Sequence, residues 1–179
     1  TDRFEGSGAT SLRGELHRAQ ISLISGGVAQ PRRLNPHIVY TNLTPAQDVN
    51  DRSLAMPTDM AITSDGSTLY VAAFGSRKIG IVDTAALALA PGSPGAFAPD
   101  TADHVELSAG GPGGVALDES RGRLYVLTRF DNAISIVDTA ARAEIAHLPI
   151  HSPEPEDITV GREIFYDARF SSSNGEAAC

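Results

Sequence analysis

The chain ends on its only cysteine, Cys179, in the stretch SSSNGEAAC. A lone thiol can be a nucleophile, a redox group, a thioether link to a prosthetic group or a small buried hydrophobe, but it cannot form an intrachain disulfide. The five histidines, His17, His37, His104, His147 and His151, are scattered. His147 and His151 have the i, i+4 spacing that shares a helix face and could hold a metal. Their surroundings read as strand end and turn, however, where ordinary surface or interface histidines are expected. Gly110 to Gly114, GGPGG, resembles a phosphate cradle, yet an apolar strand-like run follows it rather than a helix with Lys-Ser/Thr, so a tight turn is expected. Asp83 and Asp138, each followed by Thr, could be ligands in a channel or caps of a turn, and capping is the simpler reading. Asn42-Leu43-Thr44 matches the short glycosylation acceptor pattern. No Ser-His-Asp spacing, nucleophile elbow or carboxylate dyad emerges, so neither a catalytic residue nor a metal ligand is assigned.

The elements that must position these residues come from an internal repeat. LYVAAFGSRKIGIVDTA at Leu69 to Ala85 and LYVLTRFDNAISIVDTA at Leu124 to Ala140 align without a gap, with identity at nine of 17 positions. Each copy is an apolar run, a polar turn (Gly75-Ser76-Arg77 or Asp131-Asn132) and an alternating run, which is a hairpin pattern. A strand precedes each hairpin, PTDMAIT from Pro57 and PGGVALD from Pro112, and another follows, HVELSA from His104 and EIAHLPI from Glu144. The unit is a four-stranded antiparallel meander. Pro57, Pro112 and Pro155 mark unit starts at intervals of 55 and 43 residues. The shorter interval fits a propeller blade of roughly 40–45 residues, and the excess falls in an Ala/Pro/Gly-rich insertion at 86–101. Upstream, QISLIS at Gln20 to Ser25 matches the third strand and PHIVYT from Pro36 would be the fourth.

Hydrophobic residues at 41% and charged residues at 20% describe a folded protein. Fourteen Lys+Arg against 22 Asp+Glu leave a net charge of −8, which repels phosphate backbones and argues against nucleic acid as a partner. No apolar run approaches the roughly 18 residues that would span a bilayer. The chain starts at Thr1 without a signal peptide and is expected to be processed or excised from something longer.

The Leu-Tyr-Val strand followed by Ile-x-Ile-Val-Asp-Thr resembles the YVTN-type seven-bladed β-propeller repeats. The resemblance implies an all-β fold, a partial β-propeller over 20–160 with a half blade at 20–54, a blade at 55–111 and a blade at 112–154. It also implies an irregular N-terminal segment at 1–19 and an irregular C-terminal tail. A ring needs more blades than these, so the expected partners are the remaining propeller blades, or other chains that complete the ring.

After Pro155 the pattern changes. Ile164-Phe165-Tyr166 stands where Leu-Tyr-Val stood, but no Ile-Val-Asp strand follows. GREIFYDARFSSSNGEAAC resembles the start of the first haem domain of bacterial di-haem cytochrome c peroxidases, through Gly161, Arg162, Phe165, Asp167, Arg169, Ser171, Asn174, Gly175 and Cys179. In that family the segment runs into Cys-Ala-x-Cys-His. The resemblance implies that 161–179 starts a c-type haem domain or is a linker to one, with Cys179 as the first thioether to haem c. It implies a bacterial periplasmic or extracellular location and a haem domain as a further partner. A c-type haem needs a second thiol and an axial His, which this sequence does not contain next to Cys179. The competing reading is strand residues at Phe165 and Tyr166, a polar turn at 171–175 and an incidental cysteine, and the haem-domain start is preferred to it. Three functions follow: a non-catalytic propeller segment of an electron-transfer or peroxidase-like cytochrome, a propeller enzyme of lactonase type, or a recognition scaffold without a redox role.

Overall fold

Alternation of apolar and polar residues and short turns build two four-stranded antiparallel sheets in the computed structural model, which describes residues 17–42, 44–172 and 174–177. The first sheet runs β3 (Pro57–Ile62), β4 (Thr68–Ala73), β5 (Lys78–Asp83) and β6 (His104–Glu106) in chain order. The second repeats it as β7 (Pro112–Asp118), β8 (Arg123–Thr128), β9 (Ala133–Asp138) and β10 (Ala143–Pro149). Ahead of them lies a two-stranded hairpin, β1 (Gln20–Ser25) with β2 (Val28–Arg33). The fold is all-β, made of propeller-like blades in an open arc.

Side-chain alternation assigns each blade face. Leu69, Val71 and Val82 of the first blade pack on Ile21, Leu34 and Leu54 from the hairpin side. Their neighbours Tyr70, Ile79 and Ile81 pack on Leu124, Val126 and Val137 of the second blade. With both faces covered, the first blade's β4 and β5 are buried almost continuously, whereas β8 and β9 of the second blade alternate between buried and part-buried residues. The first strands β3 and β7 lie side by side. Val115 N–H donates to Asp59 Oδ2 at 2.9 Å, Thr58 Oγ1 donates to the Pro112 carbonyl at 2.9 Å, and Ser64 donates twice to Glu119. Ser64 and Glu119 are 55 residues apart, so neighbours in space are one repeat apart in sequence.

Three expectations are corrected. The fourth strand of the half blade is Val28–Arg33, not the run from Pro36, which forms turns. Gly26 and Gly27, both at positive φ, make the two-residue turn that returns the chain at once, and Pro31 is tolerated because β2 is an edge strand. The insertion at 86–101 begins inside a short helix α2 (Thr84–Ala88), which Asp83 caps by accepting from Ala86 N–H at 2.9 Å. Pro155 starts no blade; it precedes helix α3 (Glu156–Tyr166), so Ile164-Phe165-Tyr166 is helical. The acidic first turn, Glu156 and Asp157, favours the positive helix start, and no neighbouring strand is there to pair with it. The expected irregular tail therefore carries α3 and a second helix, α4 (Ala168–Ser171), and α3 runs through the boundary set at 160.

GGPGG joins the two blades: Gly110 and Gly111 lie in the connection, and Pro112 to Gly114 already open β7. The Gly110 and Gly111 carbonyls accept from Phe130 N–H at 3.2 Å and Arg129 N–H at 2.8 Å. Gly111 has φ +71°, and a Cβ there would lie 2.5 Å from the buried Phe130 ring. Gly111→Ala is expected to cost about 2 kcal/mol from positive φ and overpacking together. A urea midpoint unchanged within error would refute this.

Candidate functional site

The segment after the second blade turns back across the ends of the blades towards the start of the chain. On helix α3, Arg162, Glu163 and Tyr166 share one face at i, i+1 and i+4, and all three meet the blades. Arg162 pairs with Glu154 and donates to the Arg129 carbonyl at 3.3 Å. Glu163 pairs with Arg77 at 2.5 Å. The Tyr166 ring lies 5.8 Å from Phe74, edge-on, and 6.3 Å from Phe130, stacked, closing an aromatic cluster over the junction of the two blades. Asp167 then ends α3 and caps α4, accepting from Arg169 N–H at 2.9 Å; its carboxylate is fully buried and raises the Arg169 pKa.

Beyond α4 the tail reaches the hairpin side. Asn50, in the short helix α1 (Gln47–Arg52), donates to the Ser172 carbonyl at 2.9 Å. Gly175 has φ +68°, and a Cβ there would sit 2.8 Å from the Asn50 carbonyl oxygen, so glycine is required on both counts. Glu176 is fully buried and accepts from Ala19 N–H at 2.8 Å, from Asn35 Nδ2 at 3.0 Å and from the Tyr40 hydroxyl. Burial, and the bond donated to Glu176, push the Tyr40 phenol above its usual pKa. Asn35 also ties Leu54, accepting from its N–H and donating to its carbonyl. Exposed or part-buried ion pairs contribute about 0–1 kcal/mol each, whereas a buried donor left unpaired costs about 1–3 kcal/mol. Glu176 and the aromatic cluster therefore hold the tail, and the ion pairs set its register.

The opposite face of α3 is apolar and faces outward. Ile158, Val160, Ile164 and Phe165 are about half exposed or more, as is Phe170 on α4. An amphipathic helix in a globular protein normally turns that stripe inward. Here the polar face holds the blades and the apolar face meets solvent.

The other candidates fall into place as turn and strand chemistry. Asp138 accepts from Ala140 N–H and Ala141 N–H and pairs with Arg123 at 2.5 Å, so it caps a turn, where Asp83 at the equivalent position caps helix α2. His147 and His151 are not brought together on a helix; His147 lies on β10 and His151 is exposed beyond it. The structure instead assembles a constellation that spacing did not reveal. Ser135 Oγ is 2.9 Å from His147 Nδ1, and His147 Nε2 is 2.5 Å from Asp131 Oδ2. The hydroxyl is no nucleophile in this fold, because Ser135 is wholly buried on the face of β9 that also carries Ala133 and Val137, where no substrate carbonyl can reach it. The trio locks the outer strand to the β8–β9 turn. Thr44 N–H donates to Asn42 Oδ1, which folds the acceptor pattern into a local turn; Leu43 lies outside the described residues. Among the described residues no three His, Cys, Asp or Glu side chains come together as a metal site. No described helix is long and apolar enough to cross a membrane.

Cys179 lies outside the described residues. His37 contacts the Val49 carbonyl and Ser53 Oγ, and His147 is held by Asp131 and Ser135. The described residues thus supply neither the two thiols nor the adjacent axial His of a c-type haem site.

No family model matches the chain, and no curated protein matches it. Among solved structures it is similar to Kuenenia stuttgartiensis hydrazine synthase, with a TM-score of 0.42 and 21% identity, over 53% of this chain and 25% of that one. The chain thus spans about a quarter of the length of that relative.

Proposed function

We propose that this chain is the non-catalytic propeller segment of a larger bacterial periplasmic or secreted c-type cytochrome of electron-transfer or peroxidase-like activity. In this reading the YVTN-like blades hold the first helix of a haem domain against their ends. The observation that carries it is the inverted polarity of α3: a helix fixed to the blades through Arg162, Glu163 and Tyr166 presents Ile158, Val160, Ile164 and Phe165 for something else to cover. The likeness of residues 161–179 to a haem-domain start supplies the identity of that cover. Cys179 is then the first thioether thiol, and the second thiol and axial His come from residues outside this sequence.

The test is the natural gene product, purified from a host that attaches haem outside the cytoplasm. A Soret band that survives acid extraction, and haem retained on the polypeptide in a denaturing gel, are expected; Cys179→Ala should abolish or weaken attachment. A natural protein free of covalent haem would sink the reading.

A further inference from the structure

The insertion that sets the first blade apart from the second builds one wall of a cleft. The second blade joins its third and fourth strands through residues 139–142, while the first takes 84–103 to make the same connection. The short loop suffices for the fold, so the longer path is free to serve something else. Phe97 N–H donates to the Ala86 carbonyl at 3.1 Å, which folds the insertion back on helix α2, and Phe97 packs on the core cluster that holds Leu87 and Ile21. Between the insertion and the hairpin side lies a cleft of about 570 Å³, within the roughly 300–1,000 Å³ usual for small-molecule sites.

Its two walls differ in chemistry. The insertion offers Leu89, Pro91 and Phe97; the hairpin side offers Arg18, Arg32 and Arg33, and no Asp or Glu lines the cleft among the described residues. Three guanidinium groups thus gather at one place in a chain of net charge −8. Their positions are built into the fold. Arg18 and Arg33 lie over the ring of the buried Tyr40 at 5.6 and 5.2 Å, and Arg32 donates to the Leu87 and Ala88 carbonyls at 2.9 and 3.3 Å. The acceptors on Arg32 are neutral carbonyl and side-chain amide oxygens, which leave its charge in place. Arg33 Nε and Nη2 are buried with no hydrogen-bond partner among the described residues, an unfavourable state for two charged donors. That edge of a guanidinium takes a carboxylate bidentately, as Arg169 does with Asp167, Nε 3.0 Å from one oxygen and Nη2 2.5 Å from the other. Turning the edge towards an anion in the cleft satisfies both donors and breaks no hydrogen bond of theirs.

We propose that this cleft binds a small organic carboxylate with an apolar body, the carboxylate on the Nε–Nη2 edge of Arg33 beside Arg18 and Arg32, and the body against Leu89, Pro91 and Phe97. An inorganic anion would leave the apolar wall uncovered, and an uncharged apolar molecule would leave the Arg33 donors unpaired. The site is independent of the haem reading, since its described lining comes from 18–36 and 86–97 rather than from the tail.

The test is a fluorescence titration of the full chain with 2-naphthoate, with 2-naphthalenemethanol as the uncharged isostere and acetate as the anion without a body. Saturable binding of naphthoate is expected, with the alcohol about tenfold weaker or more and acetate unable to displace naphthoate at matched ionic strength. Arg33→Gln should weaken naphthoate about tenfold. Leu89→Ser, at a side chain 42% exposed and remote from the Tyr40 stack, should weaken it about threefold, so the test survives if Arg33→Gln disturbs that stack. Absence of saturation below the millimolar range overturns the proposal. Equal affinity for the alcohol, displacement by acetate, or binding that neither substitution weakens overturns it as well.

Discussion

Glu176→Ala is expected to cost about 4 kcal/mol of tail docking, because three buried donors lose their acceptor at about 1–3 kcal/mol each and part is recovered by local relaxation. Ala19 N–H, Asn35 Nδ2 and the Tyr40 hydroxyl converge on this carboxylate from one side of the molecule, while the tail arrives from the other. Once the carboxylate is gone, the cheapest way to satisfy the donors is to let water in, and that means lifting the tail. The loss should therefore appear first as local opening rather than global unfolding. Amide exchange at Ala19 should accelerate by two to three orders of magnitude, and protease should cut between α3 and the C-terminus while the blades stay protected. Glu156→Ala, in the exposed first turn of α3, is the control and should change stability by less than about 0.5 kcal/mol. Unchanged exchange at Ala19 in Glu176→Ala would show that the tail is held elsewhere.

Acid should weaken the first blade at the strand that carries His104. Burial, with the nearby Lys78 charge adding to it, lowers the His104 pKa from 6.5 to about 4, and its Nδ1 has no hydrogen-bond partner among the described residues. The folded state thus keeps this imidazole neutral where the unfolded chain protonates it. The stabilisation is complete above pH 6.5, drains away as pH falls towards 4, and declines no further from this group below that. A difference of that size amounts to about 3 kcal/mol, or roughly 6–12 °C in Tm. His37, whose pKa burial also lowers, acts in the same direction. Hydrogen bonds from Thr63 and Ser120 hold the carboxyls of Asp65 and Asp118 down to about 2, so these groups contribute only at lower pH. Thermal melts of the wild type and of His104→Gln between pH 7 and pH 4 separate the cases. The variant should lose clearly less Tm over that interval, and parallel curves would assign the acid sensitivity to other groups.

The blades were legible because their determinants are local and repeated. A Leu-Tyr-Val run, a short polar turn and an Ile-x-Ile-Val-Asp run specify a hairpin wherever they occur, and alternation within them specifies which side chains face which neighbour. The turn role of GGPGG and the capping roles of Asp83 and Asp138 followed from the same short-range rules. The hairpin turn at Gly26-Gly27 was equally local, but Pro31 in the returning strand hid it. The signal that could have revealed α3 was there too, in a proline followed by Glu156-Asp157 and an i, i+4 apolar spacing. Against it stands the β-branched and aromatic triplet Ile164-Phe165-Tyr166, which has strand propensity when no partner is considered.

What the sequence determined by itself was the repeat, its strand faces and the acidic, span-free character of the chain. Only the tertiary structure decided where the tail goes, because Glu176 and Ala19 are 157 residues apart and nothing periodic links them. The same holds for Ser135, His147 and Asp131, which meet because β9 and β10 pair in one register. Periodicity fixes which way a side chain points along its own strand or helix. Which distant donor meets it depends on how the blades stack and where the chain crosses them, and that is a property of the packed whole.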